Sequence, residues 1–178
     1  MYRIAVLALL LVSLPSHAQT GLRRIAIAPA SSEVDFRAYQ LGLVPLDGHF
    51  GAFSGWLSYD PDNHGHCEVR LVVDAASLAV PEAAMRGVVA GPDFLDVARY
   101  PSLAYSGTCS GDEVTGTLTM HGVTGGFPLL LTWSPDGVSA EGRLVRADWG
   151  MTALPLLAGR TIRIRVTISL KMRAMDGK

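Results

Sequence analysis

The chain has 178 residues and a formal charge of −1, with 15 basic against 16 acidic side chains and 49% apolar residues. That balance gives no overall electrostatic reason to bind nucleic acid or an anionic surface. Beyond the N-terminus no apolar run approaches the about 20 residues that a membrane-spanning helix needs.

The N-terminus reads as a targeting segment. Arg3 supplies a positive start, Ile4 to Leu14 is apolar throughout except for Ser13, and Ser16-His17-Ala18 offers small residues where a signal peptidase reads. This predicts a cleaved secretory leader over residues 1–18, cut after Ala18, and a periplasmic or secreted protein. A membrane anchor fits less well, because the run is short and Pro15 interrupts it. Cleavage would leave residues 19–178 with a charge of about −2, since Arg3 is the one charged residue removed. A chain of that size suits one domain, with about 70% of its unfolded surface buried.

After the leader, period-2 alternation dominates, the mark of strands with one buried face. Val34, Phe36 and Ala38 alternate with Glu33, Asp35 and Arg37. Residues 46–59 read as one long strand broken by Gly48, Gly51 and Gly55, as a barrel corner requires. Cys67, Val69, Leu71 and Val73 form the apolar side of the next strand. Pro81 then marks a helix start and Gly91-Pro92 a stop. The connection near residues 81–98 is therefore expected to be helical, with a second turn over Asp93 to Ala98. Strands resume over 102–108, at Val114 to Met120, at Leu129 to Trp133, and from Val138 to Asp148 after the Pro135-Asp136-Gly137 turn. The last strand is the clearest. Ile162, Ile164, Val166, Ile168 and Leu170 share one face, and Arg163, Arg165, Thr167, Ser169 and Lys171 share the other. About eight strands result, the pattern of a small antiparallel barrel.

Cys67 and Cys109 make an even pair in a chain expected to be exported, which predicts a disulfide. If the strands at 67–74 and 102–108 are antiparallel neighbours, both cysteines lie at the same end of the barrel. The alternative is two buried thiols.

Catalytic signatures are sparse. No G-x-S-x-G elbow, H-E-x-x-H, Walker loop or G-x-G-x-x-G occurs, and no cofactor motif is evident. His64-Gly65-His66-Cys67 is the one cluster with metal-ligand spacing. It lacks further ligands, however, and a polar turn entering a strand explains it equally well. His121, before Gly122, reads as a histidine bonded to its turn. Counting alternation from Ala140 and Leu144 puts Arg146 and Asp148 on the apolar face. Such a pair is either a buried structural ion pair or an anchor for a polar head group, since guanidinium suits phosphate and carbonyl oxygens.

Taken in order, these segments resemble the YceI-like family of exported, lipocalin-like proteins that bind polyisoprenoids. The resemblance starts at Ser32-Glu33-Val34-Asp35-Phe36 and runs through Gly48-His49-Phe50-Gly51-Ala52-Phe53-Ser54-Gly55-Trp56-Leu57. It continues at Gly91-Pro92-Asp93-Phe94-Leu95-Asp96, at Tyr100-Pro101, at Gly116 to Thr124, and over Arg146 to Met151. It implies an all-β, extended eight-stranded antiparallel lipocalin-like barrel, with the helical insertion near residues 81–98. It also implies an isoprenoid lipid, quinone-like or prenyl phosphate, threaded through an apolar tunnel, and often a homodimer. On that reading Phe36, Phe50, Phe53, Phe94, Leu118, Met120, Leu129, Leu131, Met151 and Ile164 line the tunnel, and Arg146 and Asp148 meet the head group. The chain departs from the family near Tyr39-Gln40-Leu41-Gly42, which lacks a histidine common there. It departs again at Gly125-Gly126, where a basic residue and a proline are usual.

Two other function classes remain open at this point. One is an enzyme on the same barrel, a hydrolase or isomerase of an apolar substrate built on Arg146, Asp148 and His121. The other is a partner-binding module that works through the barrel mouth or a dimer face.

Overall fold

The computed structural model describes residues 21–170; the leader expected over 1–18 lies outside the described residues, as does Lys171. The sheet is antiparallel throughout and curls into a barrel. Its wall runs β4 (Phe53–Tyr59), β5 (Cys67–Asp74), β7 (Ser102–Ser110), β8 (Glu113–Met120), β10 (Leu129–Ser134), β11 (Gly137–Val145), β12 (Thr161–Ser169), β2 (Ser32–Gln40) and β3 (Val44–Phe50). Only β2 and β3 break the sequence order.

The run expected as one strand over 46–59 is two, β3 and β4, separated by Gly51 and Ala52. β3 pairs with β2, whereas β4 pairs with β5. The first and last members of this wall are therefore joined by the covalent chain itself. Counted as one stave, that run gives the wall eight. Three short strands are additions to the expected set. β1 (Arg23–Ile27) covers the outer edge of β4, and β6 (Leu78–Ala79) covers that of β3. Both close edges that would otherwise present unpaired backbone groups. β9 (Val123–Gly126) folds back on β8 through a turn in which His121 and Gly122 have φ of 51° and 75°, the left-handed geometry of a tight hairpin. None of the three is long enough to show a pattern in sequence.

Two glycines in the closing run act through close approach. A Cβ on Gly48 would meet the ring of Phe36, and one on Gly55 would meet the carbonyl oxygen of Arg70 across the ladder. The barrel can curl here because these positions carry no side chain.

The connection after β5 is helical as expected, with α1 spanning Ala83–Ala90. Residues 91–98 are turns, held by bonds from the Leu95 and Asp96 amides to the carbonyls of Val89 and Gly91. The strand expected over 138–148 stops at Val145, and Arg146–Trp149 is a single 3-10 turn.

One end of the barrel holds the β4–β5, β7–β8 and β10–β11 turns. The other holds the β2–β3 turn and the long connection between β11 and β12. Cys67 and Cys109 stand opposite each other at the first end, because the β5–β7 register pairs Glu68 with Thr108 and Val69 with Gly107. They form a disulfide with a Cα–Cα distance of 4.8 Å. The bridge closes a loop of 43 residues when both cysteines are counted, and its sequence separation is 42. Constraint of the unfolded chain by a loop that long is worth about 4 kcal/mol. The variant Cys67→Ala/Cys109→Ala should unfold at correspondingly lower urea concentration with the native circular-dichroism spectrum retained. An unchanged midpoint would mean that the bridge does not constrain the unfolded state.

Candidate functional site

Inward positions of the wall strands are apolar apart from Ser32 at the start of β2 and the hydroxyls of the tyrosines, and they do not meet at the centre. Between them lies a cavity with about 140 Å³ of room for the centres of water-sized molecules. β2 supplies Val34 and Phe36, β8 Leu118 and Met120, β10 Leu129 and Leu131, β11 Ala140 and Leu144, and β12 Ile162, Ile164 and Val166. The helical connection adds Val89, Phe94 and Leu95, and the β11–β12 connection adds Met151. Of the ten positions expected to line a tunnel, Phe36, Phe50, Phe94, Leu118, Met120, Leu129, Leu131, Met151 and Ile164 do reach this cavity. Phe53 does not; it is buried in the core, at the start of β4 just past the bend.

The lining carries a single side-chain polar atom, the Tyr105 hydroxyl, which donates to the carbonyl of Phe127 at 3.1 Å. Burial pushes this phenol well above its ordinary value. The unfolded phenol ionises near pH 10 while the folded one stays protonated, so stability that is full below about pH 10 falls as pH rises further. Tyr105→Phe should lose about 1 kcal/mol at neutral pH and show a shallower loss between pH 10 and 11. Urea titrations at several pH values measure both.

Arg146 and Asp148 part company. Alternation along β11 carries Arg146 inward, where it is 5% exposed. A 3-10 turn has three residues per turn. The next residue on the inner side is therefore Trp149, also buried, and Asp148 faces solvent. The expectation that both charges face the interior is corrected for Asp148, because the strand period ends one residue too early.

Among the described residues Arg146 has no carboxylate partner. Its guanidinium donates to backbone carbonyls of the following connection: Nε to Gly159 at 3.0 Å, Nη1 to Met151, and Nη2 at longer range to Leu154 and Ala158. It also lies 5.7 Å from the Phe94 ring centre, tying that connection to the helical one. It is thus the organiser of residues 151–159. Arg146→Met should cost about 2–6 kcal/mol, since the two closest carbonyls lose their donor at about 1–3 kcal/mol each. An unchanged thermal midpoint would mean that these bonds do not organise residues 151–159.

His121 points its Nδ1 to the Trp149 carbonyl at 2.9 Å and stacks edge-on against Tyr100. No hydrogen bond or ion pair joins Arg146, Asp148 and His121 to one another. His64 stacks on Trp133 at 4.2 Å, and His66 lies 3.3 Å from the Asn63 amide nitrogen. Among the described residues no three His, Cys, Asp or Glu side chains converge as metal ligands. No helix among them is long and apolar enough to cross a membrane. Residues missed from sequence, such as Tyr105, Ala140 and Phe127, sit at inward positions of strands or at strand ends. Their alternation was legible, but nothing marked which would border a void.

Comparison with known proteins agrees with this architecture. The model of the YceI-like domain matches residues 26–174. The UPF0312 protein VPA0850 of Vibrio parahaemolyticus is 33% identical over 119 residues, covering 64% of this chain and 63% of that protein. A UPF0312 protein of Pseudomonas savastanoi is 32% identical over 110 residues, covering 58% and 57%. The chain thus matches less than two thirds of the length of these relatives. Among solved structures, BcnA of Burkholderia cenocepacia aligns with a TM-score of 0.67 at 21% identity, over 80% of this chain and 98% of that one. A polyisoprenoid-binding domain from Saccharophagus degradans, implicated in plant cell wall breakdown, aligns with a TM-score of 0.60 at 18% identity, over 84% and 98%. At such identities the likeness is one of fold.

Proposed function

The chain belongs to the YceI-like domain family, and on that premise we propose that it is an exported binding protein that holds an isoprenoid lipid in its barrel and is not an enzyme. The observation that carries this reading is the cavity. It is apolar on every side apart from one phenol that already has an acceptor. Each buried CH₂ contributes about 0.8 kcal/mol, so a prenyl chain needs few polar contacts to be held. The likeness to a polyisoprenoid-binding domain supports the ligand class.

Size sets a condition. A dry apolar cavity of about 150 Å³ accommodates one benzene, and the cavity here is about 140 Å³. A long prenyl chain therefore enters only if the interior widens. Most wall strands are fixed by long ladders, with nine residue pairs between β11 and β12, although β8 and β10 share only two. α1 is the softer part: it buries none of its residues, and Arg86 ties it down through bonds to the carbonyls of Leu78 and Ala76, each 2.9 Å. Widening on that side is what this reading requires. The leader expected over residues 1–18 and the disulfide support a periplasmic or secreted location.

Organic extracts of the purified protein, analysed by mass spectrometry, should contain a prenyl lipid in near-stoichiometric amount. Ala140→Phe fills the cavity from β11 and should abolish that co-purification with the fold intact. Extracts free of any isoprenoid, together with no uptake of added polyprenol, would refute the reading.

A further inference from the structure

The end of the barrel opposite the disulfide exposes leucines that the core does not use. The β2–β3 turn presents Leu41 and Leu43, and the connection after Trp149 presents Leu154, Leu156 and Leu157. Leu43 is 83% exposed and Leu156 89%. The two segments are fastened together. The Leu41 amide donates to the Leu157 carbonyl at 2.8 Å, the Gly159 amide donates to the Tyr39 carbonyl at 2.7 Å, and Gln40 bridges to Ala158. Leu41 and Leu154 both have φ of 50°, a left-handed conformation uncommon for a residue with a side chain. Hydrogen bonds thus hold the apolar patch in one shape, and such patches on a folded surface mark interaction sites.

Charge follows directly behind the leucines. On the outer face of the sheet the register places Arg143 opposite Arg163, and Arg163 opposite Arg37. Like charges directly opposite are unfavourable. Arg37 is neutralised by Asp47, but no carboxylate among the described residues pairs with Arg143, Arg163 or the exposed Arg160. One row further from the tip the same strands alternate sign: Glu141 opposite Arg165, and Arg165 opposite Asp35. There the Arg165 Nε bonds the Glu141 carboxylate at 2.8 Å. The row nearest the leucines holds Arg143, Arg163 and Arg37 with Asp47 paired to Arg37, and the exposed Arg160 stands just ahead of β12. That row lies two residues, or about 7 Å, behind the ends of β11 and β12. Apolar side chains in the interface sit about 5–10 Å deep, beneath the phosphates.

We propose that this end of the barrel docks on an anionic phospholipid bilayer. The five leucines enter the headgroup–acyl boundary, and Arg143, Arg160 and Arg163 lie against lipid phosphates. The whole-chain charge of −1 hides this surface, because the basic groups are local. The cavity reaches the same end through Met151, on the fastened connection, so docking would bring the interior next to the membrane. The inference stands whatever the barrel holds.

The test is co-sedimentation with vesicles of phosphatidylethanolamine and phosphatidylglycerol at three to one, with phosphatidylcholine vesicles for comparison. All variants are made in the full chain, so any binding through its N-terminal segment is common to them. Leu43→Asp/Leu156→Asp should weaken binding to the anionic vesicles at least tenfold. Arg143→Gln/Arg163→Gln should weaken it about as much in low salt and should flatten its dependence on sodium chloride. These positions are exposed or half-buried, so thermal midpoints should stay unchanged. Equal vesicle binding by all variants, no binding at all, or a dimer of the parent chain that the leucine substitutions dissolve would each overturn the proposal.

Discussion

An antiparallel sheet that buries one face must dispose of its two edges, and here a single run of chain does so. Residues 44–59 pair with β2 at one end and with β5 at the other, bending once between them. The two halves belong to opposite ends of the hydrogen-bonded order, so the bend converts an open sheet into a closed wall. Everything inside follows from that closure. Alternating apolar residues from each strand converge on one interior, and their summed volume falls short of filling it. The bend depends on small residues. Gly48 and Gly55 flank it where the Phe36 ring and the Arg70 carbonyl approach too closely for any Cβ.

The two ends of this barrel differ in kind. The end with the disulfide is pinned covalently by Cys67 and Cys109 across neighbouring strands. At the other end the covering segments carry little core of their own. The helical connection lends Phe94 and Leu95 to the interior, and α1 reaches it only through the half-buried Val89 near its end. The β11–β12 connection is organised by the buried Arg146, whose donors satisfy its carbonyls in place of a regular ladder. Local stability is lowest where few apolar contacts are buried, so that second end is the softer of the two. A charge in an apolar setting is used here to order irregular backbone, where it satisfies several acceptors at once.

Much of this was legible in the residues. The alternation of β12 from Ile162 to Ile168 and of β5 from Cys67 to Val73 fixed which side chains face inward, because a strand has a period of two. Pro81 and Gly91-Pro92 bracketed the helical connection. Arg146 was recognised as inward by the same count. Asp148 was not legible as outward, because the change from strand to 3-10 turn at Arg146 leaves no mark in a short segment. β1, β6 and β9 were illegible for a related reason: strands of a few residues show no period, and their pairing is decided by which edge is left open.

The sequence by itself therefore determined most of the inward and outward sets and the apolar character of the interior, since each is a local or compositional property, and it left the pairing of the cysteines as an expectation. Only the tertiary structure decided that the interior is a cavity of limited size, that Arg146 is committed to backbone carbonyls, and that five leucines and an unneutralised arginine row share one end of the barrel. Those are relations between strands far apart in the chain. They depend on register and closure, which no single segment encodes.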